Sequence, residues 1–155
     1  AARRRPEGAR AEAPAHTASS CAPSLAVALR TQGVSTLMIR NLPHHVTQKR
    51  LIEELAGSGF EGHYDFCYMP STFGTGVGKG YAFINLTSPD RLHDFVASWH
   101  GSRRFGIPPG DTALNVSAAA LQGKEENVRK WDAPRMRRVR NPALRPLVVG
   151  DEPEP

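Results

Sequence analysis

One stretch constrains this chain more than any other, the run Lys79-Gly80-Tyr81-Ala82-Phe83-Ile84-Asn85-Leu86. Side chains of an extended strand alternate between its two faces. Gly80, Ala82, Ile84 and Leu86 therefore share one face, and Lys79, Tyr81, Phe83 and Asn85 share the other. The first set is small or aliphatic and suits a face packed under helices. The second puts two aromatic rings side by side next to a cation. Apolar rings exposed to water cost free energy unless something covers them. A fold for this chain must give the strand one packed face and one face whose rings wait for a partner.

The flanking sequence supplies the remaining elements. Residues 36–41 read as a first strand, ended by Pro43, which cannot donate to a ladder. Thr47 is placed to cap a first helix, with Val46 and Leu51 as a hydrophobic staple. Leu51, Ile52 and Leu55 form its buried stripe, and Gly57 or Gly59 ends it. A second strand spans 64–69 and stops at Pro70. A glycine-rich loop leads to the third strand, 80–86. Ser88 caps a second helix with Pro89 at its first position. Leu92, Phe95, Val96 and Trp99 make one apolar face of that helix, and Gly101 ends it. A loop over 102–112 precedes a fourth strand at 113–118. A third helix is expected over 119–131, with only Leu121, Val128 and Trp131 as a thin stripe that packs weakly or covers part of the sheet.

The order β-α-β-β-α-β is the ferredoxin-like arrangement. The expected class is α+β, a four-stranded antiparallel sheet with two helices on one face and an extra C-terminal helix. Three segments follow from composition: a disordered tail over 1–33, the domain with its helical extension over 34–131, and a basic then acidic tail over 132–155.

The octapeptide fits the signature K/R-G-F/Y-G/A-F-V-x-F/Y of RNA recognition motifs (RRMs). Lys79, Gly80, Tyr81, Ala82, Phe83 and Ile84 match directly or by Val/Ile exchange, while Leu86 replaces an aromatic. On that reading Tyr81 and Phe83 stack nucleobases and Lys79 meets a phosphate. The companion segment Leu37-Met38-Ile39-Arg40-Asn41-Leu42 carries Met38 where an aromatic platform usually stands, and Arg40 on the same face. Two good platforms are expected rather than three. The parity of the second strand is open. Burying Cys67 and Met69 leaves Phe66 and Tyr68, with Tyr64, on the ligand face; burying the aromatics exposes Asp65 instead. The first option is adopted. The expected RNA-binding set is Met38, Arg40, Phe66, Tyr68, Lys79, Tyr81, Phe83 and Asn85.

A narrower likeness also exists. Thr36 to Pro43 with Thr47-Gln48-Lys49, Tyr64-Asp65-Phe66, Gly80 to Pro89 and Gln122-Gly123-Lys124 resemble the C-terminal RRM of Mei-two-like proteins. The resemblance implies a regulatory single-stranded RNA-binding module that includes an extension after the fourth strand. The family comprises regulators of meiosis and differentiation in fungi, plants and protists.

Charge is distributed to match. Residues 36–118 hold seven Lys/Arg and seven acids, whereas 123–145 hold eight Lys/Arg against Glu125, Glu126 and Asp132. Basic flanks on a neutral domain suit a polyanion. Two cysteines, Cys21 and Cys67, give neither a disulfide framework nor metal spacing, so an intracellular site, nucleus or cytoplasm, is expected. The apolar runs fall short of the roughly 20 residues that span a bilayer. Gly74 to Lys79 departs from a phosphate-binding loop at Phe73 and Gly80. No nucleophile–base pattern appears. The expectation is a monomer without catalytic residues, metal, cofactor, small-molecule substrate or membrane contact. A second reading is a protein-binding RRM that holds a partner peptide through Arg103-Arg104-Phe105 and the first helix's Glu53-Glu54.

Overall fold

The computed structural model describes residues 20–72 and 75–150. The glycine-rich loop's Phe73 and Gly74, the tail before Ser20 and the acidic end after Gly150 lie outside the described residues. In chain order the helices and strands are α1 (Ala22–Thr31), β1 (Thr36–Arg40), α2 (Gln48–Gly57), β2 (Tyr64–Tyr68), β3 (Tyr81–Leu86), α3 (Pro89–Trp99), β4 (Asn115–Ala118), α4 (Lys124–Trp131), α5 (Pro134–Arg137) and β5 (Leu147–Val148). The strands form one antiparallel sheet in the order β4-β1-β3-β2-β5.

The expected caps form. The Thr47 hydroxyl accepts from Arg50 N–H at 3.1 Å and the Ser88 hydroxyl from Arg91 N–H at 3.2 Å. Val46 and Leu51, the two halves of the staple, are both buried. Leu51 and Leu55 of α2 and Leu92, Phe95, Val96 and Trp99 of α3 pack with Leu37, Ile39, Ala82 and Ile84 of the sheet in one core. Phe95 and Trp99 stack with centroids 4.8 Å apart, and Phe60 meets Phe95 edge-on at 5.2 Å. At Gly80 the backbone takes φ +91°, and an added Cβ would stand 3.6 Å from the Leu42 carbonyl. That left-handed conformation favours glycine, and it lets the Gly80 carbonyl accept from Leu42 N–H at 2.9 Å as β3 begins beside β1.

Four expectations need correction. The stretch 1–33 is not wholly without structure, because Ala22–Thr31 is helical and packs against α3. Ala22, Ala26 and Leu29 recur at helical spacing and are buried. The third helix begins at Lys124 rather than Ala119. Before it, the Gln122 side chain accepts from the Ser35 and Thr36 N–H groups and donates to the Thr36 and Ala119 carbonyls, tying the chain to the start of β1. The segment after residue 131 is not a loose tail. It forms α5, a short 3-10 turn at Pro142–Leu144, and β5, which adds a fifth strand by pairing Phe66 with Val148 and Cys67 with Leu147. The pairing covers a β2 edge that would otherwise present unpaired backbone groups. The fourth correction concerns Tyr64. The β2–β3 register pairs Tyr64 with Leu86 but Phe66 with Asn85, so Asp65 is an extra residue in a bulge. The bulge turns Tyr64 into the main core while Phe66 and Tyr68 face the other way.

Candidate nucleic-acid interface

The helix-free side of the sheet is assembled by strand register. Met38 lies opposite Phe83 and Arg40 opposite Tyr81; on the far side Met38 meets Ser117 and Arg40 meets Asn115. Phe83 in turn lies opposite Tyr68. Ala82 and Ile84 are buried in the helix-backed core, so the alternation read from the octapeptide holds. Tyr81 and Phe83 stand edge-to-face with centroids 5.7 Å apart and stay partly exposed. Lys79 and Arg40 are exposed, and the Arg40 Nε lies 3.4 Å from the Met38 sulfur.

The other half of this face is covered. Phe66 is fully buried and Tyr68 is 2% exposed. They pack with Met136, Val128, Trp131, Val139 and Val148, all from the segment after β4. The Trp131 ring meets Tyr68 at 4.8 Å and reaches Phe83 at 6.1 Å. Burial pushes the Tyr68 phenol above its ordinary range, with a smaller push from Tyr81. On the strand's opposite side, burial raises the Cys67 thiol to about 12, so it stays protonated at neutral pH.

Of the expected RNA-binding residues, the structure brings Met38, Arg40, Lys79, Tyr81 and Phe83 together on accessible surface. Phe66 and Tyr68 do occupy the expected face, but they are core there. Asn85 is also taken up internally. Its side-chain oxygen accepts from the Thr36 hydroxyl at 2.7 Å and its amide donates to Asp65 at 2.8 Å. The Thr36 hydroxyl accepts from Gly123 N–H at 2.8 Å, which links this buried chain of bonds to the turn that starts α4. Trp131 enters the sequence pattern only as part of a thin stripe. The sign of its role is that stripe's position just past the fourth strand.

The loop of the second reading is occupied within the domain. The Arg104 guanidinium bonds Glu54 of α2 at 2.8 Å, donates to the Ser98 carbonyl and lies 4.6 Å from the Trp99 ring centroid. Phe105 is buried against Trp99, at φ 64°. Burial works to raise the Glu54 carboxyl, but the hydrogen bonds from Arg104 and Arg50 outweigh it and hold the pKa below its ordinary value. Among the described residues there is no His/Cys/Asp/Glu group that could hold a metal and no helix long and apolar enough to cross a membrane.

The sequence profile of the family described as RNA recognition motif 2 matches residues 34–132. The chain is 34% identical over 92 residues to "Protein MEI2-like 4" of Oryza sativa subsp. japonica, covering 58% of this chain and 9% of that protein. It is 38% identical over 92 residues to "Protein MEI2-like 4" of Arabidopsis thaliana, covering 58% and 10%. The chain thus spans about a tenth of the length of these curated relatives. Among solved structures, "Sex-lethal RNA recognition domains 1 and 2 from Drosophila melanogaster" aligns with a TM-score of 0.44 and 24% identity, over 56% of this chain and 50% of that one. "Structure of Rna15 RRM with bound RNA (GU)" aligns with a TM-score of 0.42 and 18% identity, over 61% and 93%.

Proposed function

The chain belongs to the RNA recognition motif 2 family, and from that premise we propose that it binds single-stranded RNA on the uncovered half of its sheet. The observation that carries this reading is the Tyr81–Phe83 pair, partly exposed beside Met38 and Arg40 on the side that α2 and α3 leave free. Aromatic rings offer a flat surface to a nucleobase, worth about 1–3 kcal/mol per stacked base. Tyr81 is the better platform, because Phe83 already lies beside the tilted ring of Trp131, centroids 6.1 Å apart. Met38 contributes a softer contact, and Arg40 and Lys79 supply donors and charge for phosphate or base edges. The protein-binding reading is less favoured, since Arg104 is bonded to Glu54 and lies over Trp99, and Phe105 packs against Trp99. A regulatory role, as the Mei-two-like resemblance implies, is the corresponding reading at the level of the cell.

The test is a fluorescence-polarisation titration with labelled single-stranded RNA of mixed sequence. Wild-type protein binds, and the double substitution Tyr81→Ala with Phe83→Ala loses roughly 2–5 kcal/mol, the contribution of two stacking platforms. Equal affinity for the two proteins would overturn the proposal.

A further inference from the structure

Where the open half of the sheet meets the covered half, a groove of about 280 Å³ runs between the end of β2 and the segment after Gly123. Tyr81 forms one wall and Trp131 another. Among the described residues its charged lining groups are Lys79, Lys130 and Arg135, and none of the lining residues is an acid. Clefts for drug-sized ligands start at roughly 300 Å³, so this space suits one flat group of nucleotide size.

We propose that this groove is a nucleotide subsite, which rests on the RNA-binding reading and extends it. The strand that stacks on Tyr81 continues off the sheet into the groove. Its next base lies between Tyr81 and Trp131, and its phosphates face Lys79, Lys130 and Arg135. The segment after β4 then does two things. It closes the Phe66–Tyr68 half of the sheet and supplies, at the seam, a binding surface in its place. The net charge of that segment, basic where the domain proper is neutral, agrees with a phosphate partner.

The experiment uses the full chain and a ladder of single-stranded RNA oligonucleotides of increasing length, titrated at several salt concentrations. Affinity rises sharply at the length that reaches the groove. For oligonucleotides at or beyond that length, Lys130→Gln with Arg135→Gln flattens the dependence of log affinity on log salt by about 0.7 for each phosphate left without its cation. Trp131→Phe, which keeps a ring over Tyr68 but offers a base a smaller stacking surface than the indole, weakens binding of the same oligonucleotides. Arg129→Gln is the control on the same helix, outside the groove and paired with Glu126 at 2.7 Å, and leaves the slope alone. If Tyr81→Ala weakens binding while length, the Lys130/Arg135 pair and Trp131→Phe have no effect, the subsite is refuted and the sheet reading survives. If the wild type binds no RNA at any length, both are refuted.

Discussion

The two halves of the helix-free face are built by the same rule and end in different states. Alternation along β2 puts Phe66 and Tyr68 on this face just as alternation along β3 puts Tyr81 and Phe83 there. Yet Phe66 and Tyr68 are core, and Tyr81 stays partly exposed. The difference comes from the chain beyond Gly123. Val128, Trp131 and Met136 settle on the β2 side, and β5 pairs along its edge. An aromatic residue on the helix-free sheet face is thus left partly exposed or made a piece of core according to a segment far away in sequence. Full burial of one such ring is worth about 1.5–3 kcal/mol, so the covered half stabilises the fold, whereas the open half keeps its rings partly in solvent.

The strongest way to break this contrast is Phe66→Ala. Truncating a fully buried Phe costs about 3–5 kcal/mol, read as a shift of the urea midpoint, whereas Tyr81→Ala moves that midpoint by a small fraction of the amount. Equal effects of the two would mean that the halves are not different. Next comes Trp131→Ala. The ring is only partly buried, so the loss of stability is smaller, below the roughly 3–5 kcal/mol of a fully buried Trp.

The same variant has a signature in pH. The Tyr68 phenol, raised from its ordinary value of 10 by burial, keeps its proton longer in the folded chain. Stability tied to the neutral phenol is therefore held in full below pH 10 and lost as the pH climbs through the raised value. Uncovering Tyr68 by Trp131→Ala moves its titration, followed by ring-carbon NMR, back toward 10. No movement would show that Trp131 does not shield it.

Smaller effects sharpen the open half. Tyr81→Ala alone weakens RNA binding by about 1–3 kcal/mol with the fold intact by circular dichroism. Arg40→Gln reduces the salt slope of binding by about 0.7, the share of one phosphate. A slope identical to wild type would place the Arg40 side chain away from the phosphates.

What can be read in the sequence follows the range of the forces involved. The alternation of Tyr81 and Phe83 against Ala82 and Ile84, the Thr47 and Ser88 caps and the apolar face of α3 are local, and all stand as expected. Strict alternation puts Tyr64 on the wrong face because one extra residue, Asp65, breaks the period of two, and nothing in Tyr64-Asp65-Phe66 announces a bulge. Asn85 reads as available because its partners, Thr36 and Asp65, arrive from two other strands. In β5 only Leu147 and Val148 pair with β2, too short a run for any periodicity. The helix α1 is different. Ala22, Ala26 and Leu29 do repeat at helical spacing, but in a context rich in Ala, Pro and Ser the stripe is too weak to stand out until α3 is there to receive it.

The most direct measurement is an NMR map of backbone amides as single-stranded RNA is titrated into the full chain. The account predicts the largest shifts on β1 and β3 around Met38, Arg40, Tyr81 and Phe83, with α1 and α3 nearly unmoved. Shifts concentrated on α1 and α3, with Tyr81 and Phe83 still, would contradict it.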